Sequence, residues 1–302
     1  GAVLSALTND LANHYTPVDI FIDREGNWHR MGISVQPAKA LAGLDVAFNA
    51  LKGSFGEDGR VQHILDQFSV PYPGAEKISS SMALNKFLAK EKFREHHIKT
   101  PHAKLIRVSN SLYKDALEAF RTVMMPAIIK PASSGSSLGI SIVQTYEELL
   151  EALRLAFHYS PGVLVEEYIK GKEATCAVMH GYRGEDLYAL MPVEVILDEG
   201  KQFYDFEAKY GGKSQELCPG RFSKDEKREL TDMAKKAHQL LGLRHYSRAD
   251  FVVHPRRGVY LLEVNTSPEL HPQSLFGLSL QAIGTSLPDF VDHSLKLALR
   301  RN

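Results

Sequence analysis

The sequence predicts a mixed α/β protein built in lobes. Three observations carry this. Strands, glycine-bearing loops and helices alternate along much of the chain, which is the grammar of layered α/β folds. LDVAFNAL (44–51) is a continuous apolar run of the kind that fills a buried parallel strand. A length of 302 residues, at roughly 100–200 per domain, allows two domains or three small ones.

The elements follow in order. Val3, Leu4, Leu7 and Leu11 fall at helical spacing, so the chain opens in an amphipathic helix. VDIFID (18–23) reads as a strand and GNWHRMG (26–32) as a short continuation. After the run at 44–51 come the loop KGSFGEDG (52–59), a helix over VQHILDQF (61–68), and the turn PYPG (71–74). A long helix is expected near 80–97, with Ser79, Ser80 and Ser81 as cap candidates. AKLIRV (103–108) is a strand and SNSLYKDALEAFRTV (109–123) a helix. MPAIIKPA (125–132) is a strand that runs into SSGSSLG (133–139), and ISIV (140–143) is another. Thr145 caps the next helix. VLVEEYI (163–169) begins the last lobe, followed by sheet-like stretches at 173–181 and 187–197. A polar loop spans 201–220, a helix 223–241, then the strands SRADFVVHP (247–255) and GVYLLEVN (258–265), and two closing helices. The lobes so read are 1–78, 79–162 and 163–302.

Composition narrows the function. Thirty-six basic residues balance 36 acidic ones. This argues against a dedicated nucleic-acid binder and against a protein drawn to anionic membranes, while leaving room for a local basic pocket. Cys176 and Cys218 have no CxxC partner, which excludes a disulfide framework or a cysteine zinc site and fits a reducing cytoplasm. There is no apolar run long enough for a membrane helix, and the first residues lack the basic start of a signal peptide.

Five segments carry chemistry. In RADFVV and YLLEVNTSP, period-two spacing puts Arg248 and Asp250 on one face, and Glu263 and Asn265 on one face. The HPRRG turn between them favours an antiparallel pair. The converging acids and amide form an all-oxygen set that suits Mg²⁺; a solvated sheet face with scattered charges is the competing explanation. In IIKPASSGSSLG, Lys130 ends an apolar strand before a Gly/Ser loop, so backbone N–H groups and a point charge can meet phosphates. A plain hairpin turn would look alike, and neither GxxxxGK[ST] nor GxGxxG is present. GEDG (56–59) stands at a helix entry, where capping suffices to explain Asp58. VLVEEYIKGKE offers an extended edge for a planar base and carboxylates for ribose hydroxyls. FYDFEAKY (203–210) sits in a long loop, either a lid or aromatic packing between lobes.

In this order, GEDGRVQ (56–62), KPASSGSSLGISIV (130–143), FYDFEAKY, RADF (248–251) and EVNTSP (263–268) resemble the ATP-grasp superfamily, and more narrowly the D-alanine–D-alanine ligase family. The similarity covers nearly the whole chain. It implies a three-lobe ATP-grasp fold whose N-terminal lobe is Rossmann-like, and a cytoplasmic enzyme of peptidoglycan synthesis, usually a homodimer. The substrates implied are ATP and D-alanine, with two Mg²⁺ (Mn²⁺ possible), and without nucleic acid or membrane as partner. By position, Lys86 and Lys130 match lysines on the ATP phosphates. Glu166, Glu167, Tyr168 and Ile169 match the adenine-holding segment, Glu173 the ribose carboxylate, and Phe203, Tyr168 and Leu262 the adenine pocket. Lys209 matches the γ-phosphate lysine. Asp250, Glu263 and Asn265 match the metal ligands, and Arg248 the arginine that stabilises the oxyanion. Ser136 and Tyr210 match a pair that closes the lid, and Ser274 and Leu275 match contacts to the second D-alanine.

Three positions depart from the family pattern. Lys52 stands where a histidine is usual, and His63 and Glu269 stand where glycines are usual. The family also begins with a strand and a glycine-rich turn carrying a glutamate for the first substrate, and the expectation is that such a segment precedes Gly1. These departures leave two alternatives: a ligase for a different amino acid or hydroxy acid pair, and a non-catalytic ATP-binding descendant.

Overall fold

The computed structural model describes residues 1–53, 55–133, 139–197 and 214–300. Ser136, Phe203, Lys209 and Tyr210 lie outside the described residues.

Three sheets follow one another along the chain, and every described ladder is antiparallel. The first is a meander of β1 (Ile20–Ile22), β2 (Trp28–Arg30) and β3 (Ile33–Val35). Before it, helix α1 (Ala2–Ser5) runs into a π turn over Ala6–Asp10. Val3, Leu7, Leu11 and Tyr15 recur every fourth residue and pack on the cluster around Phe290. The π turn suits that spacing, because it fits an extra residue into the turn.

The parallel strand expected at 44–51 is not formed, and the sheet described in this lobe is antiparallel. The reason lies in what the run touches. Val46 and Phe48 pack on the cluster of Tyr246, Phe276 and Phe290, whereas Leu44, Ala47 and Leu51 pack on the cluster of Trp28, Val61 and Leu65. The segment is apolar on both sides because it lies between two cores. Helix α2 (Pro37–Leu41) and helix α3 (Arg60–Gln67) complete this region.

The expected helix over 80–97 is two helices, α4 (Lys77–Leu84) and α5 (Lys86–Glu95). Asn85 breaks the path with extended backbone, and its side chain accepts the Leu88 N–H as the cap of α5. The second sheet runs β4 (Ala103–Arg107), β7 (Gly162–Glu167), β5 (Ala127–Pro131), β6 (Ser141–Val143), covered by α6 (Leu112–Thr122) and α7 (Tyr146–Phe157). Thr145 caps α7 through a capping box with Glu148, as its sequence suggests. Residues 163–167, assigned from sequence to the last lobe, sit inside this sheet as β7, paired on both sides. β7 is buried over Val163–Glu166, and pairing with β4 and β5 satisfies its backbone groups there.

The third sheet has six strands: β11 (Ser214–Leu217), β10 (Val193–Leu197), β8 (Lys172–Tyr182), β12 (Tyr246–His254) and β13 (Gly258–Asn265) in order, with β9 (Glu185–Ala189) also on β8. On one face, α5 and α8 (Lys224–Leu240) bury Phe93, Leu230 and Ala234 against Phe251, Val253 and Leu261. On the other, α9 (Leu275–Ala282) and α10 (Leu287–Leu299) bury Phe276 and Phe290 against Ala177, Met179 and Tyr246. Arg244, just before β12, holds the linker from the first lobe. It donates to the Gly74 carbonyl at 2.8 Å and lies 4.7 Å over the Tyr72 ring. Among the described residues no helix is long and apolar enough to cross a membrane.

Candidate active site

The site is built on the β12–β13 hairpin. Its register sets Arg248 opposite Asn265 and Asp250 opposite Glu263, so the face-sharing read from the sequence holds across both strands. A β-bulge follows Asp250. The register skips Leu262, which then joins Ile169, Val252 and Tyr260 in an apolar patch beside Glu263. One extra residue thus puts an acid and an apolar wall on the same cleft face.

Charges on this face are tightly coupled. The Arg248 guanidinium donates two bonds to Asp250, both at 2.8 Å, and the Asn265 amide donates to the same carboxylate at 2.8 Å. Burial would depress Arg248, but the charge and hydrogen bonds of Asp250, with Glu263 and Glu269, raise its pKa instead. Lys86 Nζ lies 2.5 Å from Glu263. The break at Asn85 delivers Lys86 there, and the Lys86 N–H is bonded at 2.9 Å to the carbonyl of Ala132, just past Lys130. Two lysines from different elements therefore meet at one cleft.

Lys130 Nζ donates to Glu166 at 2.5 Å. The register places Glu166 opposite Ile128, diagonal to Lys130 on the same sheet face. Lys90, from α5, lies 2.7 Å from the other Glu166 oxygen. Glu166, expected at the adenine through its backbone, therefore has its side chain buried between two lysines. Glu167 turns instead to Arg257, 2.6 Å away. Tyr168 is half-buried, and burial followed by the nearby Glu173 charge raises its phenol pKa. Ile169 and Leu262 are brought together, and Glu173 lies on β8 across from Val252. Sequence reasoning missed Lys90. The signal was available: it stands four residues after Lys86, one helical turn on.

Loops build the rest. Asp58 accepts the backbone N–H groups of Phe55 and Arg60 at 2.9 and 3.0 Å, the turn-capping role its sequence suggests. Gly59 has φ of +92°, and a Cβ there would stand 2.5 Å from the Lys77 carbonyl, so only glycine fits. Glu57 is pushed above the ordinary carboxylate range by burial, against the pull of Lys52 and Lys86. Lys52 donates to the Ser267 carbonyl. Its side chain is exposed along much of its length, while burial of its ammonium end, with Arg248 nearby, depresses its pKa to about 8 against the pull of Glu57 and Glu269. Ser274 caps α9, accepting the Gly277 N–H at 3.1 Å and donating to the Glu269 carbonyl at 2.8 Å. Leu275 is buried against Val193 and Val195.

Among the described residues no three His, Cys, Asp or Glu side chains are grouped to hold a metal unaided. Asp250, Glu263 and Asn265 offer two carboxylates and an amide oxygen, now balanced by Arg248 and Lys86. That hard, incomplete set fits Mg²⁺, which completes its shell with water and phosphate oxygens.

Comparison with known proteins gives the family. The profile described as D-ala D-ala ligase C-terminus matches residues 97–296. A D-alanine–D-alanine ligase from Desulfotalea psychrophila is 37% identical over 267 residues, 88% of this chain and 81% of its own. The chain belongs to the D-alanine–D-alanine ligase family. A relative of the same name from Geobacter sulfurreducens is 38% identical over 254 residues, covering 83% of this chain and 77% of its own. Among solved structures, D-alanyl-alanine synthetase A from Vibrio cholerae superimposes with a TM-score of 0.86 at 25% identity, over 99% of this chain and 92% of that one. The Bacillus anthracis D-alanine–D-alanine ligase complexed with ATP gives 0.73 at 28%, over 87% and 82%. A D-Ala:D-Ser ligase from Enterococcus faecalis gives 0.77 at 26%, over 98% and 84%. The fold is the ATP-grasp fold expected from the motifs, and the protein is an ATP-dependent ligase.

Proposed function

We propose that this chain joins two D-alanines into D-alanyl-D-alanine for peptidoglycan synthesis, releasing ADP and phosphate. The observation that carries this is the in-register set Arg248, Asp250, Glu263 and Asn265, with Lys86 and Lys130 at its border, in a chain of this family. A carboxylate oxygen of the first D-alanine takes the γ-phosphoryl group of ATP, and ADP leaves. The amine of the second then attacks the acyl carbon, a proton is lost, and phosphate departs. Lys86 and Lys130 meet the phosphate charge, because this chemistry needs positioning and positive charge rather than covalent help. Arg248 is held charged where an oxyanion can be stabilised. Two Mg²⁺ at Asp250, Glu263 and Asn265 would offset the phosphate charge, with Mn²⁺ as a substitute. Ser274 and Leu275, at the N-terminus of α9, receive the carboxylate of the second substrate. Glu166–Ile169, Glu173 and Leu262 hold the nucleoside, and Phe203, Lys209, Ser136 and Tyr210 keep the roles that the resemblance gives them. In this reading residues 1–78 carry the first amino acid, the other two lobes hold ATP, and the enzyme is a cytoplasmic homodimer.

The test is product analysis. With ATP, Mg²⁺ and D-alanine, dipeptide and ADP should appear in equal amounts. No dipeptide from D-alanine, with turnover on another acceptor, would overturn the reading. A second reading, a different acceptor such as another amino acid or a hydroxy acid, is favoured by Lys52 and Glu269 beside Arg248. A panel of acceptors separates the two.

A further inference from the structure

Behind Lys130 lies a charge cluster with a third member, Lys90, that none of the roles above uses. Lys90 is fully buried, Glu166 is 1% exposed and Lys130 7%. Each Glu166 oxygen has its own lysine, Lys130 at 2.5 Å and Lys90 at 2.7 Å, and Lys90 also donates to the Thr100 hydroxyl at 2.7 Å. Buried charges are costly unless paired, and a single lysine–glutamate pair would already be neutral. Here there are two ammonium groups for one carboxylate, so the cluster carries an excess positive charge. Packing does not need that excess; an anion in the cleft does.

The direction of the cluster is informative. Lys90 and Lys86 project from one face of α5 at i and i+4. Lys86 turns to Glu263 on the third sheet, and Lys90 to Glu166 on the second. Lys130 is the least buried of the three clustered groups and stands one residue before the end of β5. With Lys90 present, Glu166 divides its charge between two cations. Without it, Glu166 compensates Lys130 alone, and less of the Lys130 charge reaches into the cleft.

We propose that Lys90 is a positioning residue for nucleotide binding: it neutralises Glu166 from behind, and so keeps Lys130 both aimed at the cleft and available to a phosphate. The two lysines hold Glu166 below its ordinary pKa despite burial. Burial lowers the Lys90 pKa, and the Glu166 carboxylate 2.7 Å away pulls it back toward the charged form. The proposal rests on the reading of Lys130 as a phosphate lysine, so its test uses binding rather than ligation.

The experiment is calorimetric titration of Lys90→Met, Lys90→Arg and Thr100→Val with ATP and with adenosine. Lys90→Met should weaken ATP about tenfold, or about 1.4 kcal/mol, and leave adenosine within about twofold. Lys90→Arg should recover most of the ATP affinity, and Thr100→Val should cost about two- to threefold for ATP only. In a Lys130→Met background, Lys90→Met should add nothing, since the two act as one unit. Equal loss of ATP and adenosine, unchanged ATP affinity, or additivity with Lys130→Met would overturn the proposal. If Lys90→Met does not fold, Thr100→Val decides alone: unchanged ATP affinity in that variant sinks it. An absence of D-alanine ligation beside a tenfold ATP defect would sink the ligase reading and leave this inference standing.

Discussion

In the proposed reading, the nucleotide half and the amino-acid half of the site are built in different ways. The nucleotide half stands on strands and one capped helix. Lys130 and Glu166 are diagonal neighbours in a ladder, and Asp250 faces Glu263 across a hairpin. The amino-acid half stands on loops. Lys52 and Glu57 come from the turn before α3, and Glu269 and Ser274 from the segment between β13 and α9. A ladder fixes side chains by repeating hydrogen bonds, so one substitution leaves its neighbours in place. A loop is fixed by individual contacts, such as that of Lys52 with the Ser267 carbonyl, so one substitution can re-aim the segment. The departures from the family pattern at Lys52, His63 and Glu269 all fall outside the ladders.

Glu263→Gln should be the largest effect, because it removes charge from the metal set and from the Lys86 pair at once. Turnover should fall at least about 10³-fold with the circular dichroism spectrum unchanged. Lys130→Met comes next and should raise the KM for ATP by about 10- to 100-fold while the KM for D-alanine stays within about twofold. Lys52→His should do the reverse at smaller scale, moving the KM for D-alanine about three- to tenfold and leaving ATP alone.

Lys52 also gives the amino-acid half a pH signature. Its ammonium, depressed to about 8, loses its proton as pH rises through that value. The KM for D-alanine should therefore change above about pH 8, and this limb should vanish in Lys52→Met. Solvent access screens this charge, so little stability change should accompany it. Asn85→Ala is the smallest expected effect. It should cost about 1 kcal/mol in denaturant unfolding through loss of the α5 cap, with a slight rise in the KM for ATP because Lys86 begins that helix.

The two halves also differ in how far the sequence reveals them. Alternation in RADFVV and YLLEVNTSP predicts the hairpin and its shared face, and the register bears this out. Ladders have a fixed period, so spacing alone places their side chains. The break at Asn85 was hidden, because one asparagine in a helical stretch decides between interior and cap only through tertiary contacts. The run at 44–51 misled because a segment between two cores is as apolar as a strand inside a sheet. The placement of β7 was missed because strand pairing is non-local. Lys90 has only its i+4 spacing from Lys86 to mark it, because in sequence a buried lysine otherwise looks like a solvated one.

The central claim is that the two halves are separately built and separately tunable. The most direct test is a cross of Lys130→Met with Lys52→His, with KM for ATP and for D-alanine measured in both single variants and in the double. Each single variant should shift mainly its own KM, and the double should show the product of the two effects on each substrate. If either single variant shifts both constants equally, or the double departs from that product by more than about threefold, the two halves are one coupled unit and the account fails.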